Sequence, residues 1–566
     1  MRDPRCASAA ALALLLVVAG VARAQAPATA SAPFGESVDV ELIEVEVFVA
    51  DAHGQPVTGL TAGDFMLKVD REARPIASLY ESNPRAELSP ATLSTAPGDP
   101  TASAPALPAS PASTSTPPQR QLSLVVLLDE LHMQPGGRKR TLDRIAPMLE
   151  ERVAAGDKVM IATYGRSLQV RRPFEATGPI AADLAQVHKR PTGGVHGEIQ
   201  RRQTLSQIRD LYASRGCQAL DEMRAIASTW AVDVESESLA TLETLESLLH
   251  GLGGRSGRKA LLLVSDGLSL TPGLEAELLL IELCGGRPTP STGLVGPLSR
   301  VTRAANAAQV TLYTLDSGGQ RVLASAVDAG PGLSMANVGE VRADSQDPGF
   351  ALAADTGGKA LLESNKPEFL VADLAQDIAA FYSLAFAPRA GDAGRAHRIK
   401  VEVKRPGVRV RHRSAWDPQP PEAKLNGRVL AALRFGGEEQ NPLAARLEVG
   451  APKRESDGNY TVPLRLLVPA TGLTLVPRGE RRQGSLRVLV AVQDGEGRTT
   501  PVRGLPLPVD LAALPEGTTA DPAQVPLELR LKLRAGRNVI AVAVHDEVGQ
   551  DTSVVRREVT VGAPAR

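Results

Sequence analysis

Residues 122–129, L-S-L-V-V-L-L-D, and residues 260–267, A-L-L-L-V-S-D-G, decide how this chain is read. Each is a nearly unbroken apolar run that stops at a carboxylate. Runs of this length, without polar alternation, fit strands covered on both faces, as in a parallel sheet flanked by helices. Two similar runs stand at residues 158–164 (K-V-M-I-A-T-Y) and 310–315 (V-T-L-Y-T-L). Helical patterns lie between them, at 140–153, 220–252 and 297–308. Strands alternating with helices predict an α/β fold, a doubly wound and mainly parallel sheet, over residues 121–416. Within that span, residues 381–386, 398–404 and 408–412 read as strands joined by turns that extend or cap the sheet edge.

Outward from this centre the character changes. Residues 84–120 are mostly Pro, Ala, Ser and Thr. Such a segment buries too little apolar surface to offset its ordering entropy, so it reads as a disordered linker. Residues 37–83 read as a small β unit. The run V-D-V-E-L-I-E-V-E-V-F-V (38–49) largely alternates apolar and acidic side chains, as a half-buried strand does. Residues 423–562 read as all-β. Apolar segments at 464–468, 486–492, 527–533, 539–544 and 554–561 are separated by turn residues such as Asp494-Gly495. That spacing predicts a β-sandwich of immunoglobulin or fibronectin III type.

The N-terminus reads as an export signal. Arg2 and Arg5 precede an apolar run at 9–21, and Ala22-Arg23-Ala24 offers small residues at the positions a signal peptidase reads. Cleavage after Ala24 is expected, which assigns 1–24 to the signal and the remainder to a periplasmic or extracellular location. The run is shorter than the roughly 20 residues of a membrane span, and no later segment is apolar enough to cross, so no span is expected after cleavage. Cys217 and Cys284 then remain. In an oxidising compartment an even pair is compatible with one disulfide, with two separate thiols as the alternative.

Bulk properties exclude several functions. The 566 residues carry a formal net charge of −1, with 43% hydrophobic, 22% charged and 3% aromatic residues. Without a basic excess there is no electrostatic case for nucleic acid. No CxxC or His/Cys cluster suggests zinc. No G-x-S-x-G elbow, P-loop or dinucleotide fingerprint follows a strand, and His188, His196 and Glu198 match no zinc-hydrolase spacing. Arg171-Arg172 and Arg201-Arg202 read as solvated faces.

In a doubly wound sheet, ligands bind beyond the C-terminal strand ends. Asp129 follows the first run and Ser265-Asp266-Gly267 the third. Two carboxylates on neighbouring strand ends suit a hard cation that takes oxygen ligands. With Thr192-Gly193-Gly194 between them, this set resembles the von Willebrand factor A family. The segments A-A-D-T-G-G-K-A (353–360), F-Y-S-L-A-F-A-P (381–388), V-K-R-P-G-V-R-V-R-H-R (403–413) and P-V-T-G-L-T-A-G-D-F (56–65) look like the bacterial exported "VWFA-related" group.

The resemblance implies a metal-ion-dependent adhesion site built from an Asp-x-Ser-x-Ser loop, a Thr and a second Asp. Asp129 matches the first Asp and Asp266 the last; around the Thr position, Val195 follows the glycine pair and Thr192 precedes it. Leu131 and Met133 occupy the serine positions and offer no oxygen, whereas Mg²⁺ demands near-octahedral oxygen ligation. The expectation is therefore a degenerate site with little or no Mg²⁺ binding and no other cofactor. The chain is expected to be a non-enzymatic protein-binding or scaffold protein with an unidentified protein partner. The alternative is a hydrolase or metal-dependent enzyme using Asp129, His132 and Asp266.

Overall fold

The computed structural model describes residues 42–82 and 121–562, with breaks at 166, 256, 288–292, 319–332, 362–366, 393, 437–440 and 513–522. The expected signal segment 1–24, the linker 84–120 and residues 37–41 of the N-terminal unit lie outside the described residues.

In chain order the first strands are β1 (Ile43–Ala50), β2 (Phe65–Val69), β3 (Glu72–Arg74) and β4 (Ser78–Ser82). An α/β segment follows: β5 (Leu122–Asp129), α1 (Pro135–Ala154), β6 (Lys158–Tyr164), β7 (Leu168–Arg172), α2 (Ile180–His188), α3 (Gly194–Arg215), α4 (Leu220–Gly253), β8 (Arg258–Ser265), α5 (Leu274–Cys284), α6 (Val295–Ala308), β9 (Val310–Asp316), α7 (Met335–Thr356), β10 (Ala360–Leu361) and α8 (Pro367–Ala379). Its sheet runs β10-β9-β8-β5-β6-β7. All neighbours are parallel except β7, which is antiparallel to β6.

Every residue of β5 is buried. Successive side chains of a strand point to opposite faces, so the apolar run feeds two cores at once. Val125 and Leu127 join α4, α6 and α7 on one face, while Leu124, Val126 and Leu128 join α1, α2 and α8 on the other. Helices on both faces explain why the run shows no polar alternation.

The chain then returns to β structure in β11 (Phe381–Phe386), β12 (His397–Val403), β13 (Arg409–His412) and β14 (Ala415–Trp416). These strands were expected to extend or cap the parallel sheet. They instead pair with the N-terminal strands, in two four-stranded sheets ordered β13-β1-β11-β4 and β14-β12-β2-β3. The α/β segment is thus inserted between β4 and β11 of a β unit built from both ends, and its boundary falls near residue 380 rather than 416. The physical reason is complementary alternation. Tyr382, Leu384 and Phe386 of β11 share a core with Val45 and Val47 of β1, whereas β10, at the edge of the six-stranded sheet, has only two residues to offer a partner.

Of the acidic alternates of β1, Glu44 faces water and Glu46 meets the α/β segment. Glu46 accepts from Arg258 Nε at 3.0 Å and from Thr311 Oγ1 at 3.2 Å. Beside it Arg258 donates to the Ile378 carbonyl at 2.7 Å and lies over the Phe381 ring.

The C-terminal region begins with a helix, α9 (Pro421–Phe435), where an all-β region was expected from 423. Pro421 at the first helical turn suits a helix start. Leu425, Val429 and Leu433 recur at four-residue intervals and pack on the sheet that contains β19 (Arg481–Asp494) and β22 (Gly536–Asp546). The opposite side of α9 meets α4 so closely that a Cβ on Gly254 would lie 2.3 Å from the Gly427 backbone. Nine strands follow: β15 (Arg446–Val449), β16 (Lys453–Arg454), β17 (Tyr460–Pro469), β18 (Val476–Arg478), β19 (Arg481–Asp494), β20 (Arg503–Ala512), β21 (Gln524–Leu533), β22 (Gly536–Asp546) and β23 (Thr552–Val561). They form two antiparallel sheets across one apolar core that includes Val462, Leu464, Val488 and Val542.

Candidate functional site

The C-terminal ends of β5, β8 and β9 converge. β5 ends at Asp129, whose carboxylate is 1% exposed. The turn into α1 folds back over it. Oδ1 accepts the backbone N–H groups of Leu131 at 3.1 Å and His132 at 3.3 Å. Oδ2 faces His132 Nδ1 at 2.7 Å and accepts the Ser265 hydroxyl, from the end of β8, at 2.8 Å.

Asp266 is the next residue and is 6% exposed. It accepts the backbone N–H of Gln134 at 2.8 Å and the hydroxyl of Ser317, just beyond β9. The structure therefore joins Asp129, His132 and Asp266, as the sequence suggested, and adds Ser265, Gln134 and Ser317. The segment D-S-G at 316–318 ends β9 much as S-D-G at 265–267 ends β8, with Ser and Asp exchanged, and extending the strand-end rule to β9 would have found Ser317.

Thr192 lies on the same rim. Its Oγ1 is buried without a hydrogen-bond partner. Gly193 N–H donates to the Glu130 carbonyl at 2.7 Å, and Gln134 Nε2 donates to the Gly194 carbonyl at 2.6 Å. A Cβ on Gly194 would sit 2.5 Å from the Met133 carbonyl oxygen, so only glycine permits this approach of α3 to the β5–α1 turn.

Electrostatics divide the site. Burial disfavours a charged His132. The Asp129 carboxylate beside it, with Glu237 and Asp266, outweighs this and raises the imidazole pKa above its ordinary value. On the other side Arg138 Nη1 and Arg190 Nε approach Glu130 Oε1 at 4.0 and 3.7 Å, which ties that carboxylate into an arginine cluster. Arg171-Arg172 is not a solvated face. Arg172 is 2% exposed and pairs with Asp183 at 2.6 Å, and Arg171 donates to Thr163 Oγ1 at 2.9 Å. Arg201 is likewise engaged, by Glu198 at 2.8 Å and Glu275 at 2.6 Å. Farther along the same helices, Cys217 and Cys284 are disulfide-bonded, tying the α3–α4 corner to the end of α5.

The divalent cation that the resemblance implies does not fit these residues. Leu131 packs against one face of the sheet core and Met133 is fully buried in the other. A carboxylate offers about four acceptor sites, and those of Asp129 already face four donors. One of the four is a ring nitrogen of His132, where a metal would need a bare oxygen. Thr192 Oγ1 is the one hydroxyl of the set with no partner, and one free oxygen does not make an octahedral shell. Among the described residues no group of three or more His, Cys, Asp or Glu side chains is arranged to hold a metal.

No family model matches this chain, and no curated protein matches it. Among solved structures, a Northeast Structural Genomics Consortium target is 12% identical, aligned over 23% of this chain and 91% of that one, with a TM-score of 0.14. A chain described as a beta-galactosidase from Bacteroides fragilis is 7% identical over 32% of this chain and 26% of its own, with a TM-score of 0.15. A Bacteroides uniformis beta-glucuronidase is 9% identical over 32% of this chain and 19% of its own, also with a TM-score of 0.15. These alignments span about a quarter and a fifth of the two glycosidase chains, and likenesses this slight carry no argument. No helix among the described residues is long and apolar enough to cross a membrane.

Proposed function

We propose that this chain is an exported binding protein, and that its protein partner docks on the C-terminal edge of the six-stranded sheet. The reading rests on one observation: Asp129 and Ser265-Asp266 end the adjacent strands β5 and β8 and are bonded to one another. Counted from β5, the sheet order is 6-5-4-1-2-3. That is the doubly wound order whose binding crevice opens between the first and fourth strands. The order supports the A-type resemblance, and the two facing sheets after α9 support the sandwich reading. The Cys217–Cys284 bond supports an oxidising compartment, periplasmic or extracellular.

A binding role is favoured over hydrolysis by the direction of the hydrogen bonds. Nucleophilic catalysis needs a hydroxyl facing its base, with the base oriented by a third group. Ser265 spends its hydroxyl donor on Asp129, so no relay from that hydroxyl to the imidazole is formed.

Asp129 and Asp266 are too buried to meet a partner directly. The rim nearest them includes Val195 and Ile199, exposed apolar side chains one turn apart at the start of α3. A partner retained from periplasmic extract or culture medium by the full chain, and released by Val195→Asp and Ile199→Asp, is the expected result. Retention unchanged by both substitutions would remove the sheet-end reading.

A further inference from the structure

We infer that His132 stands in for the cation of an A-type site, a built-in substitute that closes the site around Asp129 without a metal. The inference rests on the A-type reading of the strand ends, and it concerns how that site is held together rather than what it binds.

A metal ligated as the resemblance implies would perform a mechanical task, tying together the turn after β5, the turn before α3 and the turn after β8, which carry Asp129, Thr192 and Asp266. In this chain each of those joints is made by protein groups. Gln134 N–H donates to Asp266 at 2.8 Å, joining the turns after β5 and β8. Gly193 N–H donates to the Glu130 carbonyl at 2.7 Å, and Gln134 Nε2 to the Gly194 carbonyl at 2.6 Å, joining the turns after β5 and before α3. Ser317 adds a joint from β9 to Asp266.

What those joints leave open is the solvent side of the Asp129 carboxylate, and a buried carboxylate oxygen without a hydrogen-bond partner is costly. His132 takes that place. Its Nδ1 lies 2.7 Å from Asp129 Oδ2, and its side chain is 19% exposed against 1% for Asp129. The ring is thus the partner on the solvent side, over the carboxylate that a metal would otherwise bridge. Leu131 and Met133, at positions that would give serine ligands, anchor the turn into the two halves of the core instead. The side chains of the turn therefore form a consistent set: two apolar anchors and one imidazole replace two hydroxyls and one ion.

Thermal unfolding of the full chain tests this, read by circular dichroism for the wild type and for His132→Ala, each with MnCl₂, MgCl₂ or EDTA. The wild-type transition is expected to stay put in all three. His132→Ala is expected to unfold at a lower temperature and to regain part of the loss in MnCl₂, because the place that the imidazole holds on Asp129 Oδ2, beside the Ser265 hydroxyl, is then open to an ion. His132→Asn, which keeps a short donor, serves the same comparison if His132→Ala is not recovered folded. Three results would each overturn the inference: a wild type stabilised by metal or destabilised by EDTA, a variant as stable as the wild type, and a destabilised variant indifferent to MnCl₂. None of these depends on whether a partner is captured, so the inference and the proposed binding role fail separately.

Discussion

Glu46 of β1 and Arg258 of β8 form a buried ion pair at 3.0 Å that joins the N-terminal strand to the first residue of a sheet strand more than two hundred positions away. The pair fastens the inserted α/β segment to the β unit that encloses it. Removing one partner strands the other charge in a buried setting, which typically costs about 3–5 kcal/mol. Glu46→Ala is expected to lose stability of this order in urea unfolding. A loss below about 1 kcal/mol, the range of exposed pairs, would mean that the contact is not holding the two units together.

Lys259, next to that pair, makes stability depend on pH. It is buried, and burial followed by the neighbouring Arg413 and Arg255 charges, against Glu46 and Glu44, brings its pKa down to about 8 from 10.5. A lysine whose folded-state pKa is lowered resists charging in the fold, so its protonation favours unfolding. Its contribution is unfavourable below about 8 and is relieved as pH rises from there towards 10.5. The urea midpoint of the wild type is expected to climb across that window relative to Lys259→Met, with the variant the more stable at neutral pH. Parallel pH profiles would refute this assignment.

The Cys217–Cys284 bond closes a span of 67 residues. Loop-closure entropy assigns a cross-link of that length roughly 4 kcal/mol. Cys217→Ser is expected to lower the urea midpoint of the oxidised protein, and dithiothreitol is expected to lower that of the wild type while leaving the variant unmoved. Equal midpoints with and without reductant would show that α3, α4 and α5 hold their corner by packing alone.

Gly194→Ala tests the close approach of α3 to the turn after β5. Its Cβ would fall 2.5 and 2.6 Å from the Met133 and His132 carbonyl oxygens, both backbone groups with no rotamer to yield. The variant is expected to be less stable and to lose partner retention, whereas Gly197→Ala, with open space around the new Cβ, keeps both. Equal behaviour of the two would show that the approach does not matter.

How much of this was legible in the sequence follows from how local each feature is. The runs at 122–128 and 158–164 mark β5 and β6 almost to the residue, because a strand buried on both faces leaves no polar interruption. Helix α4, read at 220–252, spans Leu220–Gly253. Strand β1 was legible as a strand but not in its pairing. Its register sets Val45 against Leu384 and Val47 against Tyr382, and nothing within a few residues of either strand encodes so distant a choice. Helix α9 was missed because its apolar stripe of Leu425, Val429 and Leu433 stands among strand-like segments. At the site, Asp129, His132 and Asp266 were legible as strand-end residues. Ser265 sits within the same motif, but its role appears only once β5 and β8 are adjacent. Ser317 stands at a strand end that the same rule reaches, whereas Gln134 acts through contacts that the fold creates.

A partner-binding surface that needs no divalent metal is checked by retaining partner from periplasmic extract on the full chain, in EDTA and in MgCl₂, beside Ile199→Asp. Retention is expected to be equal in EDTA and MgCl₂ and to be lost in Ile199→Asp. Retention that requires MgCl₂, or that survives Ile199→Asp unchanged, would rule out such a surface.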